Sequence, residues 1–149
     1  MSLKIGFRDA VLAAVAAGAE SVGEIADALM VEEAAVERVV EELKSKGLVI
    51  EVEKGFWIFK KKVLRLTEVG RLRAEEVLRY LRELAAEVRE KVGSSSRAEE
   101  VREIIEPYGP VLPLLLYLGL LDLMLFESML FMPLLAWGLS DFGGDTVVE

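Results

Sequence analysis

"LVIEVEKGFWIFKKKVLRLT", Leu48 to Thr67, decides how the rest of this chain is read. β-Branched and aromatic residues crowd it, and Lys54-Gly55 is a turn signal between two such runs. The stretch predicts a β-hairpin whose second arm is longer than its first, with a bulge or bend near the lysines. At least two of Phe56, Trp57, Ile58 and Phe59 are expected to pack inward, because strand side chains alternate between faces. Directly behind them stand Lys60, Lys61 and Lys62.

Working upstream, Ile5 to Ala17 reads as a helix with Phe7, Val11, Ala14 and Val15 on one face and Gly18 just past its end. "SVGE", Ser21 to Glu24, is a capping box that should open a short helix with Ile25, Ala26 and Leu29 inward. A turn near Met30 and Val31 leads to a third helix, about Glu32 to Lys46. Val36, Val39, Val40 and Leu43 form its apolar stripe, and Gly47 ends it.

Downstream, Thr67 is placed to cap a long helix running to about Val92. Ala74, Val77, Leu81, Leu84 and Val88 recur at spacings of three and four, a coiled-coil-like seam about two heptads long. Such a seam packs either on its own domain or on a second copy. The length of the helix points to the second copy, with Val77, Leu81, Leu84 and Val88 as dimer contacts.

The 149 residues are 53% apolar and 30% charged, which excludes a disordered or fibrous chain. Cys and His are both absent, so there is no disulfide framework, no thiolate metal site and no imidazole base. Asn and Gln are absent too. Loss of thermolabile residues with many Glu, Lys and Arg is the bias of hyperthermophile proteins, and it implies a thermophilic prokaryotic source. The codon bias of a GC-rich genome is the alternative. The N-terminus shows no signal-peptide pattern, since Asp9 interrupts its apolar run.

Net charge is −8, yet it is unevenly placed. Residues 1–93 hold 16 bases and 17 acids, while residues 94–149 hold 2 bases and 9 acids. From Lys54 to Arg73 there are seven bases and one acid, Glu68. For a polyanionic partner this local excess matters more than the total.

Three helices, a hairpin and a trailing helix, in that order, resemble the winged helix-turn-helix family over residues 5–92, and small prokaryotic, archaeal-type transcription regulators in particular. Ala26 stands where that family has a small residue, and Ile25, Leu29, Val31, Val36 and Val39 where it has apolar ones. "LKSKGLV", Leu43 to Val49, resembles the exit of the recognition helix into the wing. "LTEVGR", Leu66 to Arg71, resembles the exit from the wing. Met30 departs from the pattern, in which Gly is usual at that turn.

The resemblance implies double-stranded DNA as partner, with the third helix in the major groove. The exposed positions of that helix are Glu32, Glu33, Ala34, Glu37, Arg38 and Glu41, four acids and one base. Carboxylates repel phosphates, and Asn and Gln, the usual readers of adenine, are missing. Arg38 is the one base reader there. DNA contact is therefore expected mainly from the wing, through Lys54, Lys60, Lys61, Lys62 and Arg65, with Lys44 beside it. The structural alternative for the lysines is a solvated strand edge guarded against aggregation.

"GSSS", Gly93 to Ser96, is the only linker-like break, followed by a short helix from Arg97 to Glu106. Leu112 to Leu139 is then almost wholly apolar and long enough to cross a bilayer. Residues 114–131 hold nine Leu and two Phe, worth roughly −3 to −7 kcal/mol of insertion, against about +2.5 to +3.5 for each of Asp122 and Glu127. The two acids nearly cancel the gain, so burial in a homodimer is preferred to a membrane anchor. Leu116, Leu120, Leu123, Phe126 and Leu130 are the expected contacts there.

The fold expected is mainly α with a small β-hairpin wing. A winged helix-turn-helix domain with its long helix fills residues 1–92, residues 93–96 are a linker, and residues 97–149 form an apolar helical segment for dimerisation. The function expected is a cytoplasmic, dimeric DNA-binding regulator with no cofactor, metal or catalytic site. No nucleophile elbow or phosphate-cradling loop is present. The alternatives are a winged helix that binds protein and a membrane-anchored regulator.

Overall fold

The computed structural model describes residues 5–93 and 98–121. The order is α1 (Phe7–Ala16), α2 (Val22–Leu29), α3 (Glu33–Ser45), β1 (Val49–Lys54), β2 (Lys61–Leu66), α4 (Glu68–Gly93), α5 (Ala98–Ile105) and α6 (Leu112–Tyr117). Short 3-10 turns occupy Trp57–Phe59 and Glu106–Val111. The described chain is thus mainly helical with one two-stranded antiparallel hairpin.

Local signals account for the helix ends. Ser21 Oγ accepts from the Glu24 amide (3.1 Å), while the Glu24 carboxylate takes the Glu20 amide (2.5 Å). One of the orphan donors in the first turn of α2 and the amide just before its cap are thereby satisfied. Met30, in the position where glycine was expected, adopts the left-handed conformation (φ 59°), and Val31 N–H returns to the Ala26 carbonyl. A side chain in that region costs about 1–2 kcal/mol. α3 closes with Gly47 N–H donating to the Lys44 carbonyl and Leu48 N–H to the Leu43 carbonyl.

Thr67 does two jobs at the entry to α4. Its hydroxyl accepts from the Gly70 amide (3.0 Å) and donates to the Gly47 carbonyl (2.6 Å). Thr67 N–H meets the Leu48 carbonyl (3.0 Å). The end of α3 and the start of α4 are laced together, and Gly70 lets them approach. A Cβ there would lie 1.9 Å from the Leu48 carbonyl oxygen.

One hydrophobic cluster joins α1, α2, α3, the base of the hairpin, α4 and the segment 105–121. Asp9, on α1, is buried within it and faces Arg73 of α4 in a two-pronged pair (3.0 and 3.1 Å). A buried carboxylate is tolerable only with such a partner.

The seam of α4 faces this core. Val77, Leu81, Leu84 and Val88 are 2%, 0%, 3% and 0% exposed within the single chain. They lie in the core of the single chain, whereas Val69 and Leu72 of the same helix are exposed. α1 packs along α4 and α5 adds to the cover, while Ile105, Tyr108, Val111, Leu112, Leu114 and Leu115 join the same cluster. The Tyr108 hydroxyl accepts from Lys91 Nζ on α4 (3.1 Å), which ties that segment to the helix.

The cluster takes in residues from both sides of the expected linker 93–96, of which 94–96 lie outside the described residues. Leu116 and Leu120 are half-buried against it, whereas Leu123, Phe126 and Leu130 lie outside the described residues. Among the described residues no helix is long and apolar enough to cross a membrane, and most of the stretch 112–139 falls outside them.

Candidate functional site

The hairpin pairs Val49 with Leu66, and so on in unbroken register to Lys54 with Lys61. The arms are equal and there is no bulge, contrary to the expectation of a longer second arm. A tight turn at Lys54-Gly55 is also absent, and residues 55–60 form the connection instead. Burial explains the choice. The observed register sets Val52 against Val63 and buries Val49, Val63 and Leu64 at the base, whereas a turn at Gly55 would bring Lys60 towards Val49. Register follows whichever pairing puts the apolar set inside.

The base is fixed to the body. Leu64 N–H donates to the Glu20 carbonyl (2.9 Å), so the α1–α2 connection runs along the edge of β2. The Glu20 carboxylate holds Arg65 (2.7 Å) and Lys54 (3.0 Å). Arg65, and after it Lys54, hold the Glu20 carboxyl below its ordinary pKa.

Beyond this anchor, every residue from Glu53 to Lys62 is exposed. Gly55 turns the chain with φ 94°, and a Cβ there would meet the Phe59 carbonyl oxygen at 2.4 Å. Trp57 follows with φ 59°, and Phe59 N–H donates to the Phe56 carbonyl (3.1 Å). Phe56, Trp57, Ile58 and Phe59 are 75%, 80%, 81% and 74% exposed. The expectation that two of them pack inward fails, because a 3-10 turn fans its side chains outward at the end of the finger.

The nominated cations do not act as one patch. Lys44 pairs with Glu51 and with Glu41 (3.1 Å), and these contacts, led by Glu51, raise its pKa. Glu51 is lowered in turn, chiefly by Lys44. Lys54 and Arg65 are held by Glu20, and Lys60 lies 3.9 Å from Glu53. Lys61, Lys62 and Arg38 form no ion pair among the described residues.

Strand alternation separates the lysines further. Lys61 shares a face with Lys54, Val63 and Arg65. Lys62 shares the other with Glu51, Glu53 and Leu64. Positive charge therefore rings the finger, and the like-charged rung Lys54–Lys61 is an arrangement that strands avoid without cause.

The exposed side of α3 remains acidic, with Glu32, Glu33, Glu37 and Glu41 in solvent around Arg38. Between α3 and the hairpin runs a groove of about 270 Å³ whose wall includes Glu20, Glu37, Glu41, Glu51, Lys44 and Lys62.

No family model, curated protein or solved structure matches this chain. Its site must be read from its own geometry. Sequence reasoning named the basic residues of the finger and allowed Phe56, Trp57, Ile58 and Phe59 to stack on bases, but favoured packing for at least two of them. The signal for their exposure was present: four large apolar residues in succession, after a glycine and before three lysines, leave no polar alternation to turn half of them inward.

Proposed function

We propose that this chain is a winged-helix module that contacts duplex DNA through its hairpin, as a regulator or other DNA-associated protein. Three helices followed by a hairpin and a trailing helix support the winged-helix part. So does the Glu20–Leu64 bridge, which places a third chain segment against the hairpin.

The observation that carries the DNA part is the location of the unpaired cations. Lys61 and Lys62 stand on the projecting finger, on opposite faces, with Lys60 beside them. A ribbon entering a groove has a phosphate wall on each side, and lysines on both faces meet both walls. α3 offers mostly carboxylates and stays outside the groove.

Three phosphate contacts predict a salt slope near −2.7, so affinity should fall roughly 40-fold from about 50 to about 200 mM salt. A mobility shift on random-sequence duplex tests this, with the wild type beside Lys60→Glu/Lys61→Glu/Lys62→Glu. Equal binding by the two proteins refutes the reading.

A second reading has an observation of its own. The carboxylate-lined groove beside α3 suits a basic peptide, and winged helices also serve as protein-docking modules. Absence of duplex binding at low salt, with capture of an arginine-rich peptide lost in Glu37→Lys/Glu41→Lys, favours that reading.

A further inference from the structure

The lysines of the finger suit any polyanion, but its end suits few partners. Four large apolar side chains in a row, each about three-quarters or more exposed, are held clear of the body. Left in water they are a standing free-energy cost, and nothing in the fold requires them. The backbone beneath them is shaped at some expense, with a left-handed tryptophan following a glycine that no other residue could replace without a clash. Strain of this kind collects at functional sites.

The chemistry is layered along the axis of the finger. Outermost are Phe56, Trp57, Ile58 and Phe59. Behind them come Lys60, the rung Lys54–Lys61 and the rung Glu53–Lys62. Each rung advances about 3.4 Å, so Lys62 lies roughly 7 Å behind the base of the loop. Groups that bind a bilayer interface bury an apolar part about 5–10 Å deep, with basic residues left among the headgroups. Tryptophan prefers that boundary, and lysine stems reach along apolar surface while the ammonium stays wet. The ring arrangement of the lysines also fits: a finger meeting a plane end-on presents every side of its collar to headgroups. Apolar side chains inserted into DNA must unstack base steps at a cost of roughly a few kcal/mol each, whereas a bilayer accepts all four without that cost.

We propose that the hairpin tip, residues 56–59, inserts into the interfacial layer of an anionic lipid bilayer, with Lys60, Lys61 and Lys62 engaging the lipid phosphates. This membrane-docking role is separate from DNA contact and does not rest on it.

The test uses the full chain carrying Trp137→Phe, so that Trp57 is the single tryptophan and reports its own surroundings. Vesicles of phosphatidylcholine mixed with phosphatidylglycerol are compared with phosphatidylcholine alone, by co-sedimentation and by tryptophan emission. The expected result is co-sedimentation with the anionic vesicles and a blue shift of Trp57. Phe56→Ser/Ile58→Ser should weaken partition by at least about tenfold with the helical circular dichroism unchanged, since both side chains are solvent-exposed. Lys61→Glu/Lys62→Glu should weaken it by about fivefold per lysine or more, and only on the anionic vesicles. Vesicle binding that survives the serine variant undiminished overturns the proposal, because another part of the chain, such as the apolar run 112–139, is then responsible. Unshifted Trp57 emission overturns it as well, as does binding to duplex DNA without any to vesicles.

Discussion

Gly70→Ala sets two effects of opposite sign against each other. Alanine is the better helix former by about 0.8–1 kcal/mol, so helix propensity alone predicts that α4 gains stability. Packing predicts the reverse. The new methyl would sit 1.9 Å from the Leu48 carbonyl oxygen, and backbone must retreat by roughly an ångström to admit it. Overpacking of this kind costs about 1–3 kcal/mol. The displaced carbonyl also accepts the Thr67 amide, and the neighbouring Gly47 carbonyl accepts the Thr67 hydroxyl. Loosening those bonds costs about 1 kcal/mol each. The losses exceed the gain, and the expected net change is a loss of about 2–4 kcal/mol.

Gly93→Ala provides the comparison within the same helix. Among the described residues no atom lies within 4 Å of its added Cβ, so the expected change there runs from zero to a gain of about 1 kcal/mol. Guanidinium unfolding followed by far-ultraviolet circular dichroism measures both. With a slope of about 4 kcal/mol per molar, Gly70→Ala should lower the midpoint by about 0.5–1 M. A Gly70→Ala protein as stable as Gly93→Ala would refute the close approach of α4 to the end of α3.

Leu81→Ala should cost about 3 kcal/mol, because the side chain is fully buried in the single-chain core; a loss that varies with protein concentration in equilibrium unfolding would instead return Leu81 to a seam between copies. Arg73→Leu, which strands the buried Asp9 carboxylate, should cost about 2 kcal/mol, less than for a fully buried pair because Arg73 is half exposed. Asp9→Asn should cost about 1 kcal/mol, since the guanidinium it leaves can turn to water, and thermal unfolding that ranks the two in the opposite order counts against the argument. Glu20 has its pKa depressed below 4.5 by Arg65 and Lys54, so its contribution is present above that pH and is lost as pH falls through the folded value. The hydrogen-exchange protection factor of the Leu64 amide should therefore drop on acidification, and Glu20→Gln should flatten that dependence; a wild type already flat would remove Glu20 as the anchor.

Much of the local structure was legible in the residues because its causes are local. Ser21, Thr67, Gly18 and Gly47 mark helix ends through hydrogen bonds within a few positions. The apolar stripes at Phe7–Val15, Ile25–Leu29 and Val36–Leu43 turned inward as their spacing requires. The basic character of the finger is likewise a matter of composition. What lay beyond reading was everything that depends on which distant surface arrives. The period of Val77, Leu81, Leu84 and Val88 states that one face of α4 must be covered, and it says nothing of what covers it.

The sequence by itself determined that this protein would have three short helices, a hairpin and a long helix, and that its hairpin would carry lysines behind an apolar run. Only the tertiary structure decided that α4 packs against the chain's own α1 and α5, that Glu20 takes Lys54 and Arg65 out of play, and that Phe56 to Phe59 remain in solvent. Hydrogen-bonded caps and apolar periods act over a few residues, so they are written in the order of the amino acids. Burial and ion pairing depend on groups that are distant in sequence, such as Glu20 and Arg65, and are settled when the folded chain brings them together.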